Sequence, residues 1–428
     1  MAGDEAGTGI TDVHRGPARP SGPRPRAALI GAFPRTAAVA MPDSGTVVGR
    51  RWLAEQGLAD REVSGEHLRL DRRGGRLSVT DLGSRNGTWV NGRTIPADAD
   101  VPLEDGDVLR LGRTLFVVRE QLVGELEPAA PIGELVGPFG LREVAAELEG
   151  LARQQPGTVL IEGETGTGKE LCARAVAEVL GRHERYGAVN VAGVAAGVFE
   201  SQLFGHVAGA FSGSKERGAD GIVVAHDGGT VFLDEIGELP RELQPKLLRL
   251  LDNREVLPVG AERARRVDVL LLAATNRSLE SMVEEGTFRA DLFARLAMAR
   301  VELPPLRERA EDIVPIAQAL ASRSGAALDP ETMEVEAVER LLLRRWPRNV
   351  RELASVLEAA ARRDPSPGLR LWALDDVLGD EEPDAPARHA LTDALVEATV
   401  AECGGNVTEA AKRLGVSRGK LLRFRKKS

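Results

Sequence analysis

The stretch TVLIEGETGTGKE, residues 158–170, decides the fold. Its apolar start predicts a buried strand, its three glycines predict a turn, and the apolar residues that follow at helical spacing predict a helix. Glycines let backbone N–H groups approach phosphates closely, and Lys169 supplies the positive charge for the outer ones. The strand, turn and helix therefore predict a nucleotide-binding phosphate loop. Its expected contact residues are Gly163, Glu164, Thr165, Gly166, Thr167, Gly168, Lys169 and Glu170.

Composition and charge limit the classes of function. The chain has 428 residues, enough for several domains, and its 43 % hydrophobic and 28 % charged residues are typical of a globular protein. The formal net charge of -9 does not favour nucleic-acid binding by the chain as a whole, so any basic surface must be local. Two distant cysteines form no disulfide framework or metal spacing, and no apolar run approaches about 18 residues. We expect a cytoplasmic protein with no membrane role.

A second element, GGTVFLDEIGELP at residues 228–240, complements the phosphate loop. Its apolar run predicts a buried strand that delivers Asp234 and Glu235 at its carboxyl end, where sheets of this class bind ligands. Phosphoryl transfer depends on positioning and charge neutralisation. We therefore expect Asp234 to hold Mg²⁺, with Glu170 as a further ligand, and Glu235 to orient the attacking water.

A third apolar strand, residues 269–274, ends in Thr275 and Asn276, and the amide of Asn276 is placed to sense the γ-phosphate of ATP. Beyond it, FRADLFARL (288–296) carries Arg289 and Arg295, and WPRNVREL (346–353) carries Arg351 on a predicted helix. This order of elements resembles the AAA+ ATPases. The resemblance implies that Arg289 and Arg295 reach a neighbouring subunit's nucleotide in a hexameric ring, and that Arg351 is a second sensor on a helical lid. From the residues alone, a surface salt bridge is the commoner role of such arginines.

The segment FESQLFGHVAGAFSGS, residues 199–214, lies between the two nucleotide elements. Its glycines and central phenylalanine would make a poor core, which favours an exposed loop with an aromatic tip. It resembles the loop of bacterial sigma-54 activators, whose GAFTGA string engages the alternative sigma factor. Here the string is GAFSGS. The resemblance implies that Asn190 is a switch that holds Glu235 until the γ-phosphate is sensed. It also implies that the sigma factor contacts Gly209, Ala210, Phe211, Ser212, Gly213 and Ser214.

Residues 45–118 consist of short alternating segments separated by turn signals, which predict an antiparallel β-sandwich. Its loops carry Gly49-Arg50, Ser64 with His67 three residues later, and SRNGT (84–88) followed by Asn91-Gly92. These motifs resemble the signature of a forkhead-associated (FHA) domain, although Gly65 stands where that family often has arginine. The resemblance implies phosphothreonine recognition, in which arginine matches a phosphate of about -1.5 to -2 charges. The implied peptide-site residues are Arg50, Ser64, His67, Ser84, Arg85 and Asn86. A sandwich kept only for docking or folding is the alternative.

The remaining segments are predicted as follows. Residues 1–44 are rich in Ala, Gly, Pro and Arg and read as a flexible tail, while 119–133 and 373–387 read as linkers. Residues 388–428 become strongly basic toward their end. In GGNVTEAAKRLGVSRGKLLRFRK (404–426), Asn406 and Ser417 as caps and Gly415 as a turn predict two short helices. This pattern resembles a Fis-type helix-turn-helix, whose second helix would enter a DNA major groove. The candidate DNA contacts are Ser417, Arg418, Lys420 and Arg423.

The predicted fold class is multidomain: a β-sandwich, an α/β P-loop ATPase over 134–372 with a helical lid from about 305, and an all-α DNA-binding end. The whole resembles a sigma-54-dependent transcriptional activator. The resemblance implies ATP and Mg²⁺ as cofactors. It implies the sigma-54 RNA polymerase holoenzyme, double-stranded DNA and a phosphothreonine protein or Ser/Thr kinase as partners. Two alternatives stay open: an AAA+ regulator or remodeller whose GAFSGS loop no longer engages sigma-54, and a phosphopeptide-binding scaffold with a silent ATPase.

Overall fold

Alternating apolar residues from Arg26 onward build a sandwich of two antiparallel sheets. The computed structural model describes residues 26–193, 195–210 and 218–379, with isolated positions at 396, 397, 400, 401, 403, 406–408, 410 and 421. The sheet orders are β2-β1-β10-β9-β6-β7 and β3-β4-β5-β8. The elements are β1 (Arg26–Phe33), β2 (Ala37–Ala40), β3 (Thr46–Val48), α1 (Arg50–Glu55), β4 (Leu68–Arg73), β5 (Arg76–Asp81), β6 (Thr88–Val90), β7 (Arg93–Thr94), β8 (Asp100–Leu103), β9 (Val108–Leu111) and β10 (Thr114–Leu122).

The central domain is a five-stranded parallel sheet in the order β12-β15-β18-β11-β19, with helices as the crossovers. Both faces are covered, so its strands are nearly continuous apolar runs. Its elements are α2 (Arg142–Gln154), β11 (Thr158–Glu162), α3 (Lys169–Val179), β12 (Tyr186–Asn190), α4 (Ala196–Phe204), β13 (Gly205–His206), β14 (Ala219–Asp220), α5 (Ile222–Ala225), β15 (Thr230–Asp234), α6 (Gln244–Asn253), β16 (Glu255–Val256), β17 (Arg265–Arg266), β18 (Leu270–Thr275), α7 (Leu279–Glu284), α8 (Ala290–Leu296) and β19 (Arg300–Glu302). The strands predicted at 159–161, 231–233 and 269–274 are confirmed as β11, β15 and β18.

A helical lid follows the sheet. It begins with the 3₁₀ turns Leu306–Glu308 and Ala310–Asp312. Its helices are α9 (Ile313–Arg323), α10 (Val335–Leu343), α11 (Asn349–Arg363) and α12 (Leu371–Leu378). No helix in the described ranges is long and apolar enough to cross a bilayer.

Three predicted boundaries are wrong. The linker predicted over 119–133 begins inside β10, which continues to Leu122. The flexible tail predicted over 1–44 includes β1 and β2, and β1 pairs with β10 from the far end of the sandwich. The linker predicted from 373 begins inside α12, whose Ala373 and Leu374 are buried in the lid core. The strand that pairs with β1 lies at the far end of the sandwich sequence, so local composition was a poor guide there.

The sandwich packs directly on the lid. Phe33, Leu115 and Val117 from the sandwich share one buried hydrophobic cluster with Leu341 and Trp346 from the lid. This contact was not predicted. It places the sandwich beside the element that closes the nucleotide pocket.

Candidate functional site

The phosphate loop joins the end of β11 to the start of α3. Gly163, Gly166 and Gly168 have φ angles of +156°, +81° and +107°, a region that residues with a β-carbon rarely adopt. Lys169 Nζ donates to the carbonyl oxygens of Gly163 (2.9 Å) and Glu164 (3.2 Å). Burial lowers the pKa of this ammonium, opposed by the charges of Glu235 and Asp234. The helix N-terminus and the lysine therefore form an anion site.

The lid is bonded to this loop by side chains that sequence analysis missed. Arg307 forms a two-fold ion pair with Glu164, with both N–O distances 2.7 Å. Asn349 donates to Glu164 Oε2 (3.2 Å) and to the Thr165 carbonyl (3.0 Å). Burial opposes ionisation of Glu164, but Arg307, Asn349 and Lys169 together outweigh it and hold the pKa of that carboxyl below its ordinary value.

The lid also explains one glycine of the loop. A β-carbon at Gly166 would lie 2.2 Å from the Arg348 carbonyl oxygen. Val350 N donates to the Gly166 carbonyl at 3.0 Å. The predicted lid residue Arg351 follows directly and lines the pocket.

The carboxylate pair lies at the carboxyl end of β15, which is placed between β12 and β18 in the sheet. Asp234 and Glu235 line the same cavity as Lys169. Glu235 has φ +56°, a left-handed backbone that is uncommon for a residue other than glycine and is often found at functional sites. Asn276, at the end of the neighbouring strand β18, donates to Thr165 Oγ1 at 2.9 Å. The predicted phosphate-loop, carboxylate and strand-tip residues therefore meet at one edge of the sheet.

The cavity between the sheet and the lid measures about 430 Å³, within the usual range for small-molecule sites. Its polar end is the phosphate loop. Its opposite wall carries apolar side chains suited to a base: Leu135, Val136, Ile316, Ala319, Leu320, Val350 and Ala354.

Three predicted site residues have partners within the chain. Asn190 was expected to hold Glu235, but its Nδ2 donates to Asp234 Oδ2 at 3.4 Å. Arg289 pairs within the chain with Asp291 at 2.8 Å, and Arg295 with Asp252 at 2.7 Å. Neither arginine lines the cavity.

The two predicted metal ligands, Asp234 and Glu170, both line the cavity. The Glu170 carboxylate also forms an ion pair with Arg174, in which Oε1 lies 3.2 Å from Nη2. Within the described ranges, no cluster of three or more His, Cys, Asp or Glu side chains has the geometry of a metal site. A magnesium ion there would take its other ligands from phosphate and water, as is usual for Mg²⁺.

The peptide-site residues meet at one end of the sandwich. Ser64 Oγ accepts from the Arg85 N–H at 3.1 Å, and Asn86 Nδ2 donates to the Glu62 carbonyl at 2.7 Å. Arg50 Nε donates to the Val63 carbonyl at 3.0 Å. Arg50, Arg85 and Asn86 are exposed at this end of the sandwich.

Two buried side chains hold these loops in place. His67 Nδ1 accepts from the Ser64 N–H at 3.1 Å, so its Nε2 carries the proton toward the Gly87 carbonyl, also 3.1 Å away. Burial lowers the pKa of His67, which favours this neutral form. Ser84 Oγ donates to Asp81 at 2.6 Å. His67 thus joins the Ser64 and Gly87 loops, whereas the Ser84 hydroxyl is bonded to Asp81 within the domain.

Only the base of the GAFSGS loop is described. It begins at β13 and returns at β14, and a β-carbon at Gly205 would meet the Ala219 carbonyl at 2.6 Å. Gly209 and Ala210 are described, while Phe211, Ser212, Gly213 and Ser214 lie outside the described residues. The DNA candidates Ser417, Arg418, Lys420 and Arg423, and most of the predicted tail, also lie outside them.

Family models match the chain in four consecutive segments. They are an FHA domain at 46–112, a sigma-54 interaction domain at 140–302, an AAA+ ATPase lid domain at 307–391 and a bacterial regulatory protein domain of the Fis family at 393–426. The transcriptional regulatory protein ZraR of Klebsiella oxytoca is 39 % identical over 308 residues, which cover 69 % of each chain. The chain belongs to the sigma-54-dependent transcriptional activators. Its central domain is an AAA+ ATPase that binds ATP.

Other relatives agree with this membership. The formate hydrogenlyase transcriptional activator FhlA of Escherichia coli (strain K12) is 41 % identical over 304 residues, 68 % of this chain and 43 % of the relative. The chain spans about two fifths of the length of FhlA and of two further relatives. The crystal structure of NtrX from Brucella abortus in complex with ATP has a TM-score of 0.51 at 29 % identity, covering 68 % of this activator and 69 % of NtrX.

Proposed function

We propose that this activator uses ATP hydrolysis to remodel the sigma-54 RNA polymerase closed complex, and that phosphothreonine recognition by its FHA domain controls the process. The observation that carries the proposal is a short physical path from the nucleotide pocket to the sigma-factor loop. Asn190 at the end of β12 contacts Asp234, and the chain continues from there through α4 into the base of the GAFSGS loop. A change at the γ-phosphate can therefore be transmitted along one edge of the sheet.

Each pocket residue has a role that fits its position. The loop N–H groups and Lys169 bind the phosphates, and Glu235 orients the attacking water. Asp234 would hold Mg²⁺ with Glu170, and a bound ion would supply charge neutralisation for the phosphate oxygens. Asn276 senses the γ-phosphate from the neighbouring strand. Arg351 contacts the phosphates from the lid.

Arg289 and Arg295 serve a neighbouring subunit in a ring, which we expect to be a hexamer. Both are surface residues, with side chains 42 % and 54 % exposed, and their partners within the chain are also partly exposed. Such pairs contribute little to stability, so they can be exchanged for a phosphate at small cost. An arginine supplied in this way accelerates phosphoryl transfer by about 10³ to 10⁵.

The C-terminal helix-turn-helix sets the location on DNA, and the FHA domain sets the timing. Ser417, Arg418, Lys420 and Arg423 are the proposed base and phosphate contacts. The sandwich end carrying Arg50, Ser64, Arg85 and Asn86 is the proposed site for a phosphothreonine protein or Ser/Thr kinase, because it combines two arginines with exposed hydrogen-bonding groups.

Promoter opening by sigma-54 holoenzyme tests the catalytic part. With wild-type protein, we expect ATP-dependent opening that ADP does not support. Glu235→Gln removes the group that orients water, so hydrolysis should fall by about 10² or more while ATP still binds. Glu238→Gln, a change in an exposed partner of Arg277, is the control and should retain activity. Opening without hydrolysis would contradict the proposal.

A phosphothreonine peptide library tests the regulatory part. Wild-type protein should select peptides whose binding disappears when the threonine is unphosphorylated and falls at least tenfold in Arg50→Ala, because a charge-assisted contact is lost. Arg51→Ala, one residue away and highly exposed, is the matched control. If no phosphopeptide in the library binds, or if Arg50→Ala leaves the peptide affinity unchanged, phosphothreonine recognition is contradicted and the sandwich serves only for docking.

A further inference from the structure

Four buried charges connect the sandwich to the nucleotide pocket. Arg119 lies on β10 of the sandwich, and Arg309, Glu311 and Asp312 lie at the start of the lid. The three lid residues are 1 %, 3 % and 0 % exposed, and the Arg119 side chain is 12 % exposed. We refer to these residues as the four-charge cluster. Nothing in the nucleotide chemistry described above uses it.

Arg119 is the sandwich's contribution to the cluster. Its guanidinium forms a two-pronged contact with the Glu311 carboxylate, in which Nε lies 3.0 Å from Oε1 and Nη2 contacts Oε2. Nη2 also donates to the Glu308 carbonyl at 2.8 Å, and Nη1 lies 3.4 Å from Asp105 Oδ2. A planar arginine fork held by this many acceptors fixes the position of its partner.

The opposite end of the cluster reaches the phosphate loop. Arg309 Nη2 donates to the Thr167 carbonyl at 3.2 Å, and Thr167 is 1 % exposed and directly precedes Gly168 and Lys169. Arg309 also lines the nucleotide cavity. Its position therefore affects where the loop's backbone lies.

The short turn that carries Glu311 links the two ends. Arg309 directly precedes this turn, Ala310–Asp312, and the Asp312 N–H donates to the Arg309 carbonyl at 2.9 Å. The Asp312 carboxyl accepts from the N–H groups of Phe139 (3.1 Å) and Gly140 (3.0 Å), while the Glu311 carboxylate is paired with Arg119. A buried carboxylate that loses its cation is strongly unfavourable. Without Arg119, the turn would shift to relieve the unpaired Glu311 and would move Arg309 away from Thr167.

We propose that Arg119 of the sandwich is a positioning residue of the nucleotide site, acting through Glu311 and Arg309 on the phosphate loop. The FHA domain is in this sense a structural part of the ATPase. A ligand that shifted the sandwich on the lid would change the affinity for ATP. The inference rests on the nucleotide site proposed above, but not on sigma-54, DNA or phosphopeptide binding.

The test is steady-state ATP hydrolysis and binding of fluorescent ADP by the full chain. Arg119→Met keeps an unbranched apolar stem but removes the guanidinium and its charge, and should raise KM for ATP roughly tenfold while changing kcat less than about threefold. Arg119→Lys keeps the charge and should lie between this variant and the wild type. Arg119→Met with Glu311→Gln restores neutrality and should recover most of the affinity.

Arg113→Met is the matched control. Arg113 also joins the sandwich to the lid, through the Pro330 and Met333 carbonyls at 2.9 and 3.2 Å, but it does not touch the four-charge cluster. Its KM should stay within about twofold of the wild type. Equal shifts in the two Met variants, or a normal KM in Arg119→Met, would overturn the positioning role. If Arg119→Met does not fold, the comparison of Arg119→Lys with Arg113→Met decides in the same way.

Failure of this inference is distinguishable from failure of the proposed function. Loss of sigma-54 or DNA activity would leave these ATP measurements intact. If the wild type bound no nucleotide, the nucleotide site itself would be contradicted, and this inference with it.

Discussion

Asp312 is a fully buried carboxyl at the junction of the lid and the sheet domain. Burial, reinforced by the nearby charge of Glu311, raises its pKa to about 7. Arg309 and the N–H groups of Phe139 and Gly140 act in the opposite direction but do not outweigh it. The folded protein therefore binds a proton at this carboxyl at a pH where the unfolded chain has lost it.

The free energy of unfolding should fall as pH rises through this range. Because the folded pKa of Asp312 lies above the ordinary value of 3.8, the contribution of this group to stability is complete below pH 3.8 and is lost as pH rises through about 7. Wild-type protein should gain about 1 kcal/mol of unfolding free energy from this group between pH 8 and pH 6. Asp312→Asn should lack that increment in urea unfolding at the two pH values. Parallel pH profiles for the two proteins would contradict the assignment.

At the scale of elements, the peptide-site loops depend on one close backbone approach. A β-carbon at Gly49 would lie 1.9 Å from the Gly65 carbonyl oxygen, whereas a β-carbon at Gly65 would meet nothing within 4 Å. The loops that carry Arg50 and Ser64 therefore touch at Gly49. This explains why glycine precedes Arg50.

The pair offers a matched test. Gly49→Ala forces the two loops apart and should destabilise the sandwich by about 1–3 kcal/mol and abolish phosphopeptide binding. Gly65→Ala should be close to neutral in both thermal unfolding and peptide affinity. Equal tolerance of both changes would show that the loops adjust freely.

Elements defined by local pattern were predictable, and elements defined by distant partners were not. The spacing of the glycines predicts the phosphate loop, and the apolar run before Asp234 predicts β15. By contrast, β1 is stabilised by β10, at the far end of the sandwich. Asn349 and Arg307 act on Glu164 across about 140 to 190 positions, so nothing in their neighbourhoods marks them as pocket residues.

At the scale of the whole molecule, the docking of the sandwich on the lid could not be predicted from the sequence. Besides the shared apolar cluster and the pair of Arg119 with Glu311, the interface contains a second buried ion pair, in which Arg110 Nε lies 3.3 Å from Glu339 Oε2. Arg110 also contacts Glu336 at 2.9 Å and stacks on Trp89, 4.1 Å from the ring centre. Burial raises the pKa of Glu339, and Arg110 opposes that shift.

This pair predicts a non-additive response. Arg110→Met leaves the Glu339 carboxylate without its cation and should cost about 3 kcal/mol or more, seen as a lower unfolding temperature. Arg110→Met with Glu339→Leu removes both charges and should be more stable than the single variant. A double variant with the summed loss of the two single changes would mean that the side chains act independently.

The central claim is that ATP hydrolysis at this pocket acts on sigma-54 through the GAFSGS loop. The most direct measurement is binding of the purified protein to sigma-54 with ADP and aluminium fluoride, which mimics the transferring γ-phosphate, for wild type and Phe211→Ala. We predict nucleotide-dependent binding by the wild type that the variant loses. Absence of wild-type binding while ATP hydrolysis is intact would contradict the claim and point to an AAA+ regulator with another target.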